Sequence, residues 1–335
     1  MLSCTLDLYT DYLLSSTGPT TATGLSRLVD GALSHDHITR WLRSAVYSSA
    51  QVWRQAKPLI RQAEAGRPAD EFAVLIVDDS VLEKAHTDAN ELICVHWDHS
   101  QQRYVKGLNF VRLLYQAGDL ALPLAVELVR KTVAGWNAKS QQTTYQSPFT
   151  KNEYLQQTLR VAQQQVAYRY LLADSWYASA ENMTLVRALG HHFIFALESS
   201  RTVALSEVAR AQGQFQAVQT LVFPDTQPLR VYVRAVKEAV LVTRQVLTNQ
   251  DGSQGVLYLL SSDTDLDQAQ LTTLYQRRWK VEEYHKSLKQ NASMGKAPTK
   301  SLPTQTTHFL AAVLAYVKLE ALKLKCGLGH FRLKA

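Results

Sequence analysis

Phe72-Ala-Val-Leu-Ile-Val-Asp-Asp-Ser80 is an unbroken apolar run that ends on two carboxylates. Its length suits a strand, and the lack of polar alternation predicts a strand buried on both faces. Tyr170-Leu-Leu-Ala-Asp-Ser-Trp176 is a second short apolar run, ending in acid at Asp174. Between and after them, residues 92–97, 104–115, 120–129 and 192–197 read as further strands, with a turn near Ser100-Gln-Gln. Residues 153–167 and 180–189 read as helices, the second closed by Gly190, and 137–150 as a polar loop. This order predicts an α/β protein: an RNase H-like mixed sheet flanked by helices, with the two acid-ended strands free to lie side by side.

Five segments follow. Residues 1–70 form an N-terminal helical region with N-cap candidates Ser26 and Ser34 and an amphipathic helix over 46–65. Short helices joined by Gly31 are compatible with a DNA-binding helix-turn-helix or with a plain bundle packed on the rest. Residues 71–200 hold the first part of the catalytic core. Residues 201–261 are a β-rich insertion, with strands expected at 231–236, 239–246 and 256–260. Residues 262–300 carry a long core helix with Asp265 as its cap, and 301–335 a last amphipathic helix.

The long helix contains Tyr275-Gln-Arg-Arg-Trp-Lys-Val-Glu-Glu-Tyr-His-Lys-Ser-Leu-Lys289. At roughly 100° per residue, Tyr275, Arg278, Glu282, His285 and Lys289 share one arc, with Val281, Tyr284 and Leu288 beside it to pack it down. Such spacing also describes an ordinary solvated face. Residues 275–300 hold seven Lys/Arg against Glu282 and Glu283, an excess of five positive charges in a chain whose net charge is +7. A local basic excess favours a polyanion, nucleic acid before membrane.

Other classes recede. Apolar residues make up 46% and charged ones 19%, as in globular proteins rather than disordered ones. Cys4, Cys94 and Cys326 show no zinc or disulfide spacing and fit a reducing cytoplasm. No apolar run reaches the roughly 20 residues of a membrane span, and no signal peptide is read at the N-terminus. His96-Trp-Asp98-His99 invites a metal reading, but in a hairpin strand these side chains face core or solvent more often.

Asp78 or Asp79, Asp174 and Glu282 are chain-distant acids able to converge at strand ends. Clustered carboxylates persist best around hard cations such as Mg²⁺ or Mn²⁺. A pair of such ions roughly 3.5–4 Å apart serves the attacking and leaving oxygens of a phosphodiester. Strand alternation does not choose between Asp78 and Asp79, and each acid taken singly also reads as a turn residue or cap.

The sequence resembles the DDE transposases of bacterial insertion sequences that carry the signature Tyr-x2-Arg-x3-Glu-x6-Lys. Tyr275, Arg278, Glu282 and Lys289 fill that signature without a gap, Val77-Asp78-Asp79-Ser80 matches the first acidic motif, and Ala173-Asp174-Ser175 the second. The similarity runs over roughly 25–325 and favours Asp79. It implies a metal-binding catalytic triad of Asp79, Asp174 and Glu282, with Mg²⁺ or Mn²⁺ as cofactor. Tyr275, Arg278 and Lys289 would grip phosphates, with Lys286 and His285 as weaker contributors. It also implies cleavage of double-stranded DNA at terminal inverted repeats, strand transfer into target DNA, a homodimeric synaptic complex, and a bacterial cytoplasmic protein associated with the nucleoid. Separate end recognition would fall to residues 1–70. Some relatives stack a flipped base on a Trp of the β insertion; none lies between Trp176 and Trp279, leaving Phe223, Tyr232 or Tyr258 as substitutes. Competing classes are a transposase-derived DNA-binding protein without catalysis and an RNase H-like nuclease.

Overall fold

The computed structural model describes residues 3–98, 102–138, 141–224, 227–234, 236–248 and 251–334. Helices α1 (Leu6–Ser15), α2 (Ala22–Leu28), α3 (His35–Ser44) and α4 (Ser49–Ala65) come first. Ser34 caps α3 as expected. Ser26 does not cap a helix: it lies inside α2, whose first turn is satisfied by the Thr21 hydroxyl accepting from the Gly24 N–H at 2.8 Å.

The acid-ended run becomes β1 (Val74–Glu83), which continues past the acids rather than ending on them, and Val74–Val77 ahead of the acids are fully buried. They alternate between two cores: Leu75 and Val77 join one, Val74 and Ile76 the other. Strands β2 (Ile93–Asp98), β3 (Arg103–Ala117) and β4 (Leu120–Leu128) fold back antiparallel. One edge of β3 pairs with β1, the other with β2 and then β4. His99, Ser100 and Gln101 of the expected turn lie outside the described residues.

Where a polar loop is read at 137–150, the chain instead makes a two-stranded hairpin, β5 (Val133–Asn137) with β6 (Gln142–Gln146). Thr143, Thr144 and Tyr145 favour strand without an apolar face to announce it. Then follow α5 (Lys151–Ala162), β7 (Tyr170–Ala173), α6 (Ala180–Ala188) and β8 (His192–Leu197). Gly190, at φ +82°, ends α6 and lets the His191 N–H reach the Val186 carbonyl at 3.1 Å.

Small elements β9 (Thr202–Val203), α7 (Glu207–Ala211) and β10 (Gln216–Ala217) lead to β11 (Leu229–Val231), β12 (Val240–Thr248) and β13 (Gln254–Ser261). While β9 and β10 pair with each other, β13 pairs with β8, so β11, β12 and β13 run on into the central sheet. Its order is β11-β12-β13-β8-β7-β1-β3-β2, with β4 also on β3. The pairs β1–β7 and β7–β8 are parallel, and the other neighbours in that order are antiparallel. This is the mixed α/β sheet of an RNase H-like fold.

The last segment contains α8 (Gln268–Gln276), a 3₁₀ turn (Arg277–Trp279), α9 (Lys280–Gln290), α10 (Leu302–Cys326) and α11 (His330–Leu333). Asp267, not Asp265, caps α8, in a reciprocal capping box with Gln270. Nor is α10 a one-sided surface helix: Thr307–Val317 is buried all round. The sheet lies on one side of it while α1, α3 and α4 close over it. No helix among the described residues is long and apolar enough to cross a membrane.

Candidate active site

The parallel pairing of β7 with β1 sets Leu172 beside Ile76, so both strands reach their acids at the same edge of the fold. Asp174 follows β7 and caps the 3₁₀ turn Ser175–Tyr177, its Oδ1 accepting from the Trp176 N–H at 3.1 Å. The cap reading is therefore correct as far as it goes. Burial pushes the Asp174 carboxyl up to about 6, and repulsion from Asp78 and then Asp79 adds to it, with Arg278 opposing. The three aspartates share one electrostatic neighbourhood.

Asp78 and Asp79 leave β1 on opposite faces and meet different partners. Asp78 is paired with Arg112, directly across on β3, whose side chain is wholly buried. The Arg112 guanidinium also lies 5.5 Å from the Phe110 ring centroid and 5.8 Å from that of Tyr284. Asp79 accepts from Lys151 Nζ at 2.6 Å and from the Tyr177 hydroxyl at 3.1 Å. Lys151 is the first residue of α5 and is partly exposed, its Nζ 5.4 Å from the centroid of the exposed Trp176 ring. The sequence reading singled out none of Arg112, Lys151, Trp176 and Tyr177 for the site. The register of β3 on β1 would have pointed to Arg112; a lysine at the start of a distant helix carries no such signal.

The helical segment is tightened at Arg277–Trp279, and its expected arc straddles the edge between core and solvent. Val281, Tyr284 and Leu288 are fully buried, as read. Tyr275 is buried too, and that burial pushes its hydroxyl up to about 12. Burial works against the Arg278 charge, but Tyr275, Asp78, Asp174 and Glu282 outweigh it and hold its pKa above the ordinary value. Arg278 thus senses Asp78, Asp174 and Glu282 together. Glu282 and Lys289 are exposed. Lys286, also exposed, holds its Nζ 5.0 Å from the Phe331 ring centroid.

His285 differs from its neighbours. It is buried, with Nε2 3.7 Å from Asp78 Oδ2, and burial and then Arg112 drive its pKa far down. A neutral, enclosed imidazole gives a phosphate no charge. The aromatic substitutes fare similarly: Tyr258 is core, Phe223 packs on it at 5.8 Å, and half-buried Tyr232 lies under Arg210. In the lure at 96–99, His96 is buried and pushed down to about 4, mainly by that burial; His99 lies outside the described residues.

Among the described residues no three His, Cys, Asp or Glu side chains stand close enough together to hold an ion. The donor chemistry nevertheless fits a hard cation. Carboxylate groups are gathered at one edge, burial and then repulsion from Asp78 and Asp79 raise Asp174, and a guanidinium and an ammonium neutralise Asp78 and Asp79.

A sheet of this topology, with acids in mid-strand on β1 and just past the end of its parallel neighbour β7 and a basic helix beside them, has the features of an RNase H-like phosphodiester enzyme. A family model described as transposase DDE domain matches residues 128–318, and one described as DDE superfamily endonuclease matches 3–222. Each spans more than half of the chain, and the chain belongs to the DDE transposases. No curated protein matches it. It is a DNA transposase, an enzyme whose substrate is DNA and whose superfamily generally uses divalent metal ions.

Proposed function

We propose that Asp79, Asp174 and Glu282 form the catalytic and metal-binding triad, and that the reaction is a two-metal-ion cleavage and strand transfer at the transposon's terminal inverted repeats. The observation that carries this is that burial and then repulsion from Asp78 and Asp79 raise Asp174, while Asp174 and Glu282 act together on Arg278. Bound Mg²⁺ or Mn²⁺ would supply charge to the attacking and leaving oxygens of the phosphodiester.

The rest of the chemistry belongs to the chain. Asp79 is the better ligand of its pair because its counter-ion can leave. Lys151 is partly exposed on a flexible stem and can turn toward solvent or a phosphate, freeing Asp79 Oδ2 while Oδ1 keeps the Tyr177 hydroxyl. Asp78 has no such freedom, since withdrawing it would strand the buried Arg112 charge. A second reading, with Asp78 in the triad, draws on its nearness to Arg278. Arg278 and Tyr275 are placed to orient the scissile phosphate beside the acids, while exposed Lys289 and Lys286 steer the flanking backbone. His285 serves as packing. Two ends must meet, so the working form is a homodimer in a synaptic complex, acting in the cytoplasm at the nucleoid.

The test uses a plasmid carrying the DNA that flanks the coding sequence, with Mg²⁺ or Mn²⁺. Wild type should release the ends and join them to target DNA, and Glu282→Ala should do neither. Cleavage without joining would favour a nuclease; binding without cleavage by wild type would favour a non-catalytic derivative.

A further inference from the structure

The β5–β6 hairpin stands apart from both cores. Its strands pair only with each other, as a separate two-stranded sheet. Trp136 is 68% exposed, Tyr145 57% and Val133 49%. An isolated hairpin is marginal in water, and a large indole gains nothing by facing it. The feature is that of a surface completed by a partner.

Charge selects the partner. From Leu128 to Asn152 the sequence contains no Asp or Glu, while Arg130, Lys131, Lys139 and Lys151 all fall within it. Arg130 is paired with Glu91 at 3.3 Å and Lys151 with Asp79, so Lys131 and Lys139 carry the positive excess of the stretch. Exposed Gln141, Gln142, Thr143 and Gln146 add neutral hydrogen-bonding side chains. Register places Ala134 opposite Tyr145 and Trp136 opposite Thr143, so Trp136 and Tyr145 rise from the same face. A second copy docking hairpin to hairpin about a two-fold axis would bring like charges together. A polyanion would not. A two-stranded antiparallel ribbon also has the width to enter a DNA major groove, where Gln and Thr can reach base edges.

We propose that the paired strands Val133–Asn137 and Gln142–Gln146 form a DNA-binding arm that contacts the duplex flanking the cleavage site, with Trp136 and Tyr145 as its anchors. Continuity supports this placing. The arm ends at Gln146, and Lys151, which bonds Asp79, opens the next helix. At its other end, Lys131 donates to the Val95 carbonyl at 2.9 Å, fixing the base of the arm to β2.

The inference needs the chain to act on DNA but not any particular triad, so it can be tested without metal. The probe is a labelled 40-base-pair duplex from the DNA flanking the coding sequence. It is titrated with wild type, Trp136→Ala/Tyr145→Ala, and a variant in which a short Gly-Ser turn replaces the arm. Hydrogen exchange is followed on the free and bound full chain, and oligomeric state by sedimentation. Both variants should bind at least roughly tenfold more weakly, a loss within the range of aromatic contacts to nucleic acid. Arm amides of wild type should gain protection on binding. Equal affinity with no protection of the arm overturns the proposal, as does equal affinity with a lost dimer, which would make the arm a contact between copies. Failure of wild type to bind would count against the function itself, an outcome distinct from both.

Discussion

At the scale of single residues, the pair Asp78-Asp79 shows how one-residue alternation divides two identical side chains. Asp78 completes a buried ion pair, and replacing it leaves Arg112 charged, enclosed and unmatched. Asp78→Asn should therefore lower unfolding free energy by about 3–5 kcal/mol in denaturant titrations. Asp79→Asn breaks a pair whose lysine reaches solvent, and should cost no more than about 1 kcal/mol. Electron paramagnetic resonance of Mn²⁺ tests the ligand role: Asp79→Asn should bind it weakly, while Lys151→Met, which removes the competing ammonium, should bind it more tightly than wild type. Unchanged Mn²⁺ affinity in both would return the ligand role to Asp78. The sequence offered either acid as a candidate, and its resemblance to the family motif favoured Asp79. It did not show the cations that distinguish them, because those contacts join residues 34 and 72 positions apart.

At the scale of elements, the segment from α8 to α9 is held by one arginine and armed by the next. Arg277 donates from Nε to Gln116 Oε1 at 2.5 Å, and from Nη2 to the carbonyls of Phe72 and Gln116 at 3.2 and 3.3 Å. Those bonds pin the 3₁₀ turn to the ends of β1 and β3, and from that turn Arg278 meets the acids. Arg277→Ala should cost roughly 1.5–3 kcal/mol of stability, and Arg277→Lys should recover little of it, since an ammonium lacks the planar fork. Thermal melts beside cleavage assays would check both. Helix spacing revealed that Val281, Tyr284 and Leu288 face the core, but of the N-cap candidates Ser26, Ser34 and Asp265 only Ser34 starts a helix. The hairpin at 133–146 escaped notice because its stability does not come from an apolar face, and the burial of α10 escaped because covering helices lie some 260–300 residues earlier in the chain.

At the scale of the whole molecule, the N-terminal helices are fastened to the catalytic half through α10. His308 Nδ1 faces the Tyr9 hydroxyl at 3.0 Å, and its Nε2 faces the carbonyls of Ser293 and Met294 at 3.2 Å. The geometry assigns a neutral ring with the proton on Nε2. Burial and then Lys84 push the His308 pKa down from 6.5 to about 4. Between those values the unfolded chain binds the proton and the folded chain does not. The contribution of this ring to stability is thus complete above about pH 6.5 and is lost as pH falls toward 4. His308→Gln should flatten the stability profile in that window, as measured by denaturant midpoints at successive pH values. The sheet-and-helix architecture was legible from two acid-ended apolar runs and their order. The joining of residues 201–261 to the central sheet was not, because strand pairing across that distance leaves no periodic trace.

Metal-dependent cleavage of the flanking DNA by wild type, Asp79→Asn, Asp174→Asn and Glu282→Ala bears most directly on the triad, provided each variant is first shown to fold and to bind that DNA. Wild type should cleave with Mg²⁺ or Mn²⁺, and each substitution should reduce the rate on the order of a thousandfold while leaving binding intact. Wild-type rates in Asp79→Asn or Glu282→Ala would contradict the account.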